Sequence, residues 1–233
     1  MRLQNYRMVP ITICPSMVLR TAWGARNAVN RIPMEFTPVP YIVIHHGMVP
    51  ITICPSMVLR TAWGARNAVN RIPMEFTPVP YIVIHHGSIM TSCNNKVRCS
   101  ELMRIYQDMH MEKQNWHDIG YSFAIGEDGN VYEGSGWSMR GSHTSNYNSQ
   151  SIGILMMGNF EKKLPNDAAL KALNLLISCG VRLGLIYEDY HIVGHNQTQP
   201  TNRLTPCPGE ALYEYLKRMP RWIEQPIPFV YQE

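Results

Sequence analysis

The sequence predicts an α/β fold: a mixed central β-sheet flanked by helices. Three observations predict it. Short β-branched runs such as "YIVIHH" and "SIGILMMG" read as strands buried on both faces. Amphipathic stretches with helical spacing separate them, and one turn-centred segment reads as a hairpin.

Taken in order, "YIVIHH" (81–86) is a strand. "SELMRIYQDMHMEKQ" follows as a helix capped by Ser100, with Leu102, Ile105, Tyr106 and Met109 on one face. "YSFAIGEDGNVYEG" is a hairpin turning at Asp128-Gly129, and "SIGILMMG" is a second buried strand. The strongest helix is "LPNDAALKALNLLISCGVRLG". Pro165 stands near its start, Leu170, Leu173, Leu176, Ile177 and Val181 form its stripe, and Gly184 ends it. "YHIVGH" is a short strand ending in His195. "PGEALYEYLKRM" is a last helix with Leu212, Tyr215, Leu216 and Met219 on its apolar face.

Residues 8–47 recur without a change at 48–87. Solenoids need three or more units and tolerate drift, so this is a duplicated segment rather than a repeat architecture. One unit offers a single strand and a proline-rich lead-in. Residues 1–47 are therefore read as a redundant leader, 48–222 as the domain and 223–233 as a tail. Using the first copy of "YIVIHHG" would loop out about 40 more residues at a closure cost of about 1 kcal/mol. His85 is thus favoured over its twin His45.

The 233 residues carry 16% charged and 45% apolar side chains, enough apolar content for a substantial core. A formal charge of +4 suits an anionic partner, and a mildly basic solvated surface equally. No Lys/Arg run interleaved with aromatics points to nucleic acid, and no apolar stretch is long enough to span a membrane. The N-terminal stretch, broken by prolines and polar residues, reads weakly as a signal peptide.

Of six cysteines, Cys14 duplicates Cys54. "CNNKVRC" is a loop that a Cys93–Cys99 disulfide can close, and Cys54 with Cys179 can make a second. Cys207 in "TPCPG" is left over. Disulfides of this kind indicate an oxidising, extracellular compartment. His85 and His195 both end strands, and strand ends are where ligands gather in such sheets. Two imidazoles and a thiolate suit a zinc ion with one position open, as a catalytic rather than a structural zinc requires. His86 points to the opposite face from His85. His110, His117 and His191 are read as helix-face, loop and strand residues without a role, and Trp63 as core.

The stretches "VLRTAWGAR", "YIVIHHG", "WHDIGYSFAIGEDGNVYEGSGW", "SIGILMMGNF", "GH" at 194–195 and "TPCPGEALYEYLKRMPRW" resemble the peptidoglycan recognition proteins. These share their fold with zinc-dependent N-acetylmuramoyl-L-alanine amidases. The match runs in order from about Cys54 to Trp222. The resemblance implies Zn2+ on His85, His195 and Cys207. It gives Tyr121 of "DIGY" a hydrogen bond to the reacting amide and puts Thr205 in the site wall. It pairs Cys93 with Cys99 and Cys54 with Cys179. A groove lined by Trp116, Trp137, His143 and Tyr147 would hold glycan and peptide stem.

Four departures stand out. The stretch "NQTQPTNRLTP" between His195 and Cys207 is longer than usual for the family. Asn196 stands where a basic residue is common, and Ser135 replaces an arginine typical of binders of diaminopimelate-type stems. Asn115-Trp116 mixes dipeptides of the two stem classes, so stem preference stays open.

The reading that follows is a secreted hydrolase that cuts the bond between the muramoyl lactyl group and L-alanine in bacterial peptidoglycan, acting in innate immunity. The alternative is a non-catalytic peptidoglycan receptor working through immune-signalling partners. A third reading is a poorly folding product of the duplication.

Overall fold

Apolar runs without alternation need cover on both faces, and the computed structural model supplies it. It describes residues 54–87, 91–200 and 204–228. The chain divides at Met48/Val49, and every described residue lies in the second unit. The leader 1–47, with His45 and Cys14, lies outside the described residues.

The strands are β1 (Met57–Val58), β2 (Val79–His86), β3 (Phe123–Ile125), β4 (Val131–Glu133), β5 (Ser151–Met156) and β6 (Ile186–Gly194). They form one sheet in the order β1-β4-β3-β5-β2-β6. Only β3 and β4 pair antiparallel, as the hairpin predicts; β2 runs parallel to both β5 and β6. The helices are α1 (Arg60–Trp63), α2 (Lys96–Asp108), α3 (Asp167–Arg182) and α4 (Glu210–Leu216). The mixed sheet flanked by helices is the architecture expected from the sequence.

Because side chains alternate along β2, Ile82 and Ile84 enter one core and His85 faces the other side. The first core joins these isoleucines to Leu173, Leu176 and Ile177 of α3 and to Leu212 and Leu216 of α4. The second packs Leu102, Met103 and Tyr106 of α2 against Ala124, Tyr132 and Leu155. Trp63 belongs to this core, as read, and its Nε1 donates to the Glu133 carbonyl at 2.8 Å.

Helix α2 begins earlier than expected. Asn95, not Ser100, caps it, its side chain accepting from the Arg98 amide at 3.0 Å, while Ser100 is buried inside the helix. The six-residue spacing of Cys93 and Cys99 explains the shift, since their disulfide winds the first helical turn onto the preceding loop. Ile105 is 43% exposed and does not share the buried face. The helix continues into a π-turn at Met109–Lys113, which carries His110 inward. Helix α3 starts as its pattern predicts, with Asn166 accepting from the Ala169 amide at 2.9 Å. A second disulfide joins Cys54 to Cys179 of α3 across 125 residues of chain. Disulfides of this kind add typically about 2–4 kcal/mol.

Leu173 is fully buried between α3 and the sheet. Leu173→Ala is expected to lower unfolding free energy by about 2–5 kcal/mol in urea titrations, against a change under about 1 kcal/mol for exposed Leu183→Ala.

Candidate metal centre

Two parallel strands bring their carboxyl ends to one place. Residue Ile84 of β2 lies opposite Gly194 of β6, so the next residues, His85 and His195, emerge side by side. Their ring centroids are 4.3 Å apart. The loop before α4 returns to the same spot. Asn196 donates its amide to the Cys207 carbonyl at 2.8 Å, and the His86 amide donates to Cys207 Sγ at 3.3 Å. Sγ then lies 3.9 Å from His85 Nδ1. Thr205 Oγ1 accepts from the Cys207 amide at 3.2 Å, bracing the turn that presents the sulfur.

One donor atom from each of His85, His195 and Cys207 falls within 4.8 Å of the others, the one such cluster among the described residues. The donor chemistry fits zinc: two borderline nitrogens and one soft sulfur, with a fourth position left for a reactant. Tetrahedral zinc ligands sit roughly 3.3–3.6 Å from one another, so the side-chain ends need to close by about 1 Å.

Burial sets the electrostatics. It holds His85 well below the ordinary imidazole range, aided by the neighbouring His195 and His143. Burial lowers His195 to about 4 and His143 to about 3, and it pushes the Cys207 thiol up to about 12. Desolvation favours the neutral form of each of these groups, and among the described residues no carboxylate offsets it for His85, His143 or His195.

Tyr121 reaches the cluster from the segment before β3, its ring centroid 5.1 Å from that of His85. Asp118 anchors that segment. It accepts from its neighbour's amide at 2.8 Å, from Gln107 of α2 at 2.7 Å and from Arg60 of α1 at 3.1 Å. His110 has a part here that its sequence position did not reveal. Its Nδ1 accepts from the Gly120 amide at 3.1 Å, and its ring packs against both Trp116 and Tyr121. Only the π-turn, invisible to helical periodicity, points it that way.

The residues expected to line a groove separate into different places. Trp116 is half-buried against His110. Trp137, half-buried, packs at a tilt against Phe123, ring centroids 4.5 Å apart, and rests against the α3-side core, across the sheet from His85. Tyr147 is only 4% exposed, and its hydroxyl donates to the Pro226 carbonyl at 2.9 Å. Ser135 is buried; its carbonyl accepts from Arg71 at 2.7 Å and its hydroxyl has no partner. His143, expected to line the groove, is 6% exposed and sits behind His85, with Nδ1 at 3.1 Å from His85 Nε2. Gly153 makes room for it, since a Cβ there would lie 2.4 Å from the ring.

Sequence reading missed Gln199 and Ser151. Gln199 Nε2 lies 2.7 Å from His195 Nε2 and also donates to Thr144. Gln199 stands four residues after His195, so spacing could have suggested it, whereas Ser151 is brought to His143 only by the strand pairing of β5 beside β2. A separate cavity of about 500 Å³, lined by Phe76, Pro78, Tyr187, Asp189 and His191, lies where β2 and β6 begin. It is at the wrong end of the strands for the donor cluster. No helix is long and apolar enough to cross a membrane among the described residues.

Fold and cluster together define a mixed-sheet domain with a His/His/Cys donor set at the carboxyl end of its parallel strands. The family profile of N-acetylmuramoyl-L-alanine amidases matches residues 75–210. Peptidoglycan-recognition protein SA of Drosophila melanogaster is 38% identical over 213 residues, covering 91% of this chain and 82% of that protein. N-acetylmuramoyl-L-alanine amidase of Sus scrofa is 44% identical over 131 residues, 56% of this chain but only 21% of that protein. A crystal structure of peptidoglycan recognition protein-LE in complex with tracheal cytotoxin, a monomeric diaminopimelic acid-type peptidoglycan, superimposes with a TM-score of 0.68. It is 36% identical and covers 72% of this chain and 96% of that one. This chain belongs to the N-acetylmuramoyl-L-alanine amidase family, among its peptidoglycan recognition proteins.

The lowered histidines also fix a pH dependence for the metal-free protein. Unfolded histidines take up protons below about pH 6.5, whereas the buried ones stay neutral until far lower pH. Their contribution is therefore complete above about 6.5 and is lost as pH falls toward 4 and then 3. Urea midpoints measured in a chelator should drop between pH 7 and 4.5, and less so in His143→Asn; equal slopes would contradict the assignment.

Proposed function

We propose that the protein is a zinc-dependent amidase that hydrolyses the bond between the muramoyl lactyl group and L-alanine of bacterial peptidoglycan. The observation that carries this reading is the convergence of His85, His195 and Cys207 within 4.8 Å, beside Tyr121. Zinc held by these three would supply an acidified water and a Lewis acid for the amide carbonyl. The family profile and the amidase relatives support the reaction class. The two disulfides support an extracellular setting, where an innate-immune role against bacteria is exercised.

The chain's own groups have distinct tasks in this reading. Burial drives the Tyr121 phenol far above its ordinary range, so it stays protonated. It donates a hydrogen bond to the amide oxygen as negative charge gathers there. Thr205 accepts from the Cys207 amide and keeps its own hydroxyl proton for substrate. The His86 amide donates to Sγ and favours the thiolate over the thiol. Trp116, half-exposed above His110, offers an apolar face to a sugar or peptide stem.

A receptor that binds peptidoglycan without cutting it, and passes the signal to immune partners, is the second reading. The eleven-residue stretch between His195 and Cys207, longer than the family's usual spacing, favours it.

Metal analysis with a muropeptide cleavage assay separates the two. The enzyme reading expects one zinc per chain and release of the stem peptide, both lost in Cys207→Ser. Binding of muropeptide without cleavage by the zinc-loaded protein overturns it. Tyr121→Phe should retain zinc and lower kcat by about 10²–10³. Since the thiol is protonated up to about 12, zinc entry releases its proton. Apparent zinc affinity should then rise about tenfold per pH unit between 7 and 9, and a flat profile would show that Cys207 is not a ligand.

A further inference from the structure

We propose that His143 and Ser151 form a positioning pair that fixes the tautomer of His85, keeping the proton on Nε2 and the lone pair on Nδ1. The proposal deepens the zinc reading and depends on it only for the consequence, not for the tautomer itself.

The assignment follows from donors and acceptors counted along one buried chain. Ser151 has a single hydroxyl proton, and it donates to the Tyr147 carbonyl at 2.6 Å. Toward His143 Nε2, 3.4 Å away, the same oxygen can therefore only accept. His143 must carry its proton on Nε2, which leaves Nδ1 as an acceptor. That Nδ1 lies 3.1 Å from His85 Nε2, so His85 must donate there. A neutral imidazole holds one proton, and with it on Nε2 the His85 Nδ1 lone pair is left facing Cys207 Sγ. With the Ser151 proton on the Tyr147 carbonyl, the other tautomer of either ring would set two donors or two acceptors against each other inside the core.

Packing enforces the chain. His85, His143 and Ser151 are all buried, so water cannot stand in for a mismatched partner. Gly153 admits the His143 ring where any Cβ would strike it. The Asn148 side chain accepts from the His143 and Thr144 amides, both at 2.9 Å, holding the backbone that carries the ring. Ligand histidines elsewhere are commonly oriented by a carboxylate or a backbone carbonyl. Here a second neutral histidine takes that place, so no extra negative charge is brought against the metal.

The test is long-range 1H–15N correlation NMR on the full chain with labelled histidine, metal-free, the nine histidines assigned by single substitutions. His85 and His143 are both expected with the proton on Nε2. Finding His85 protonated on Nδ1 overturns the proposal, whether or not zinc is bound in other experiments. Zinc affinity by chelator competition gives the second arm. Ser151→Ala and His143→Leu should each weaken zinc by about 10–100-fold. His143→Asn, whose side-chain oxygen replaces the Nδ1 acceptor, should recover most of the loss. Unchanged zinc affinity in Ser151→Ala, which alters one hydroxyl and leaves β5 intact, also overturns it. A wild-type protein that binds no zinc defeats the amidase reading instead, and the NMR arm still decides the tautomer.

Discussion

Parallel pairing of β2 with β6, in the register that sets Ile84 opposite Gly194, is the constraint on which the rest depends. A slip of one residue would turn His85 into the α3-side core and Ile84 toward Cys207. The same register leaves Gly194 where backbone from the Cys207 turn comes close; a Cβ there would lie 2.9 Å from Pro208. Both histidines thus leave the sheet at one edge, and only the Cys207 loop has to find them. The β-branched run of β2, buried on both faces between α2 and α3, is what makes that register costly to lose.

The chemistry inherits a cost from this placement. Three imidazoles and a thiol are withdrawn from water with no opposite charge beside them among the described residues, and burial favours the neutral form of each. A bound cation would relieve that condition by displacing the thiol proton. In the zinc reading proposed above, the electrostatic strain of the site and its affinity for a metal would have one origin. The contact between His85 Nε2 and His143 Nδ1, and that between His195 Nε2 and Gln199 Nε2, limit how those rings can turn.

Much of this was legible in the sequence because it rests on local pattern. Strand runs, the Leu173–Leu176–Ile177 stripe, and the leftover Cys207 all announce themselves within a few residues. What the sequence hid depends on long-range or irregular geometry. Ser100 resembles a helix cap, but the Cys93–Cys99 closure moves the start to Asn95. His143 and Tyr147 resemble groove residues, yet tertiary packing takes both inside, where each finds a polar partner, while Trp137 is half-buried against Phe123. The π-turn that aims His110 at Tyr121 breaks the period on which helix reading relies. No local signal marks Ser151 as a partner of His143, since eight residues and a strand entry separate them.

The most direct test of the central claim is the absorption spectrum of the cobalt-substituted protein. Cobalt in a four-coordinate site with two histidines and Cys207 should give intense visible bands together with a near-ultraviolet thiolate-to-cobalt transition. Weak visible bands of a six-coordinate ion with no thiolate transition would contradict convergence of the three side chains on one metal.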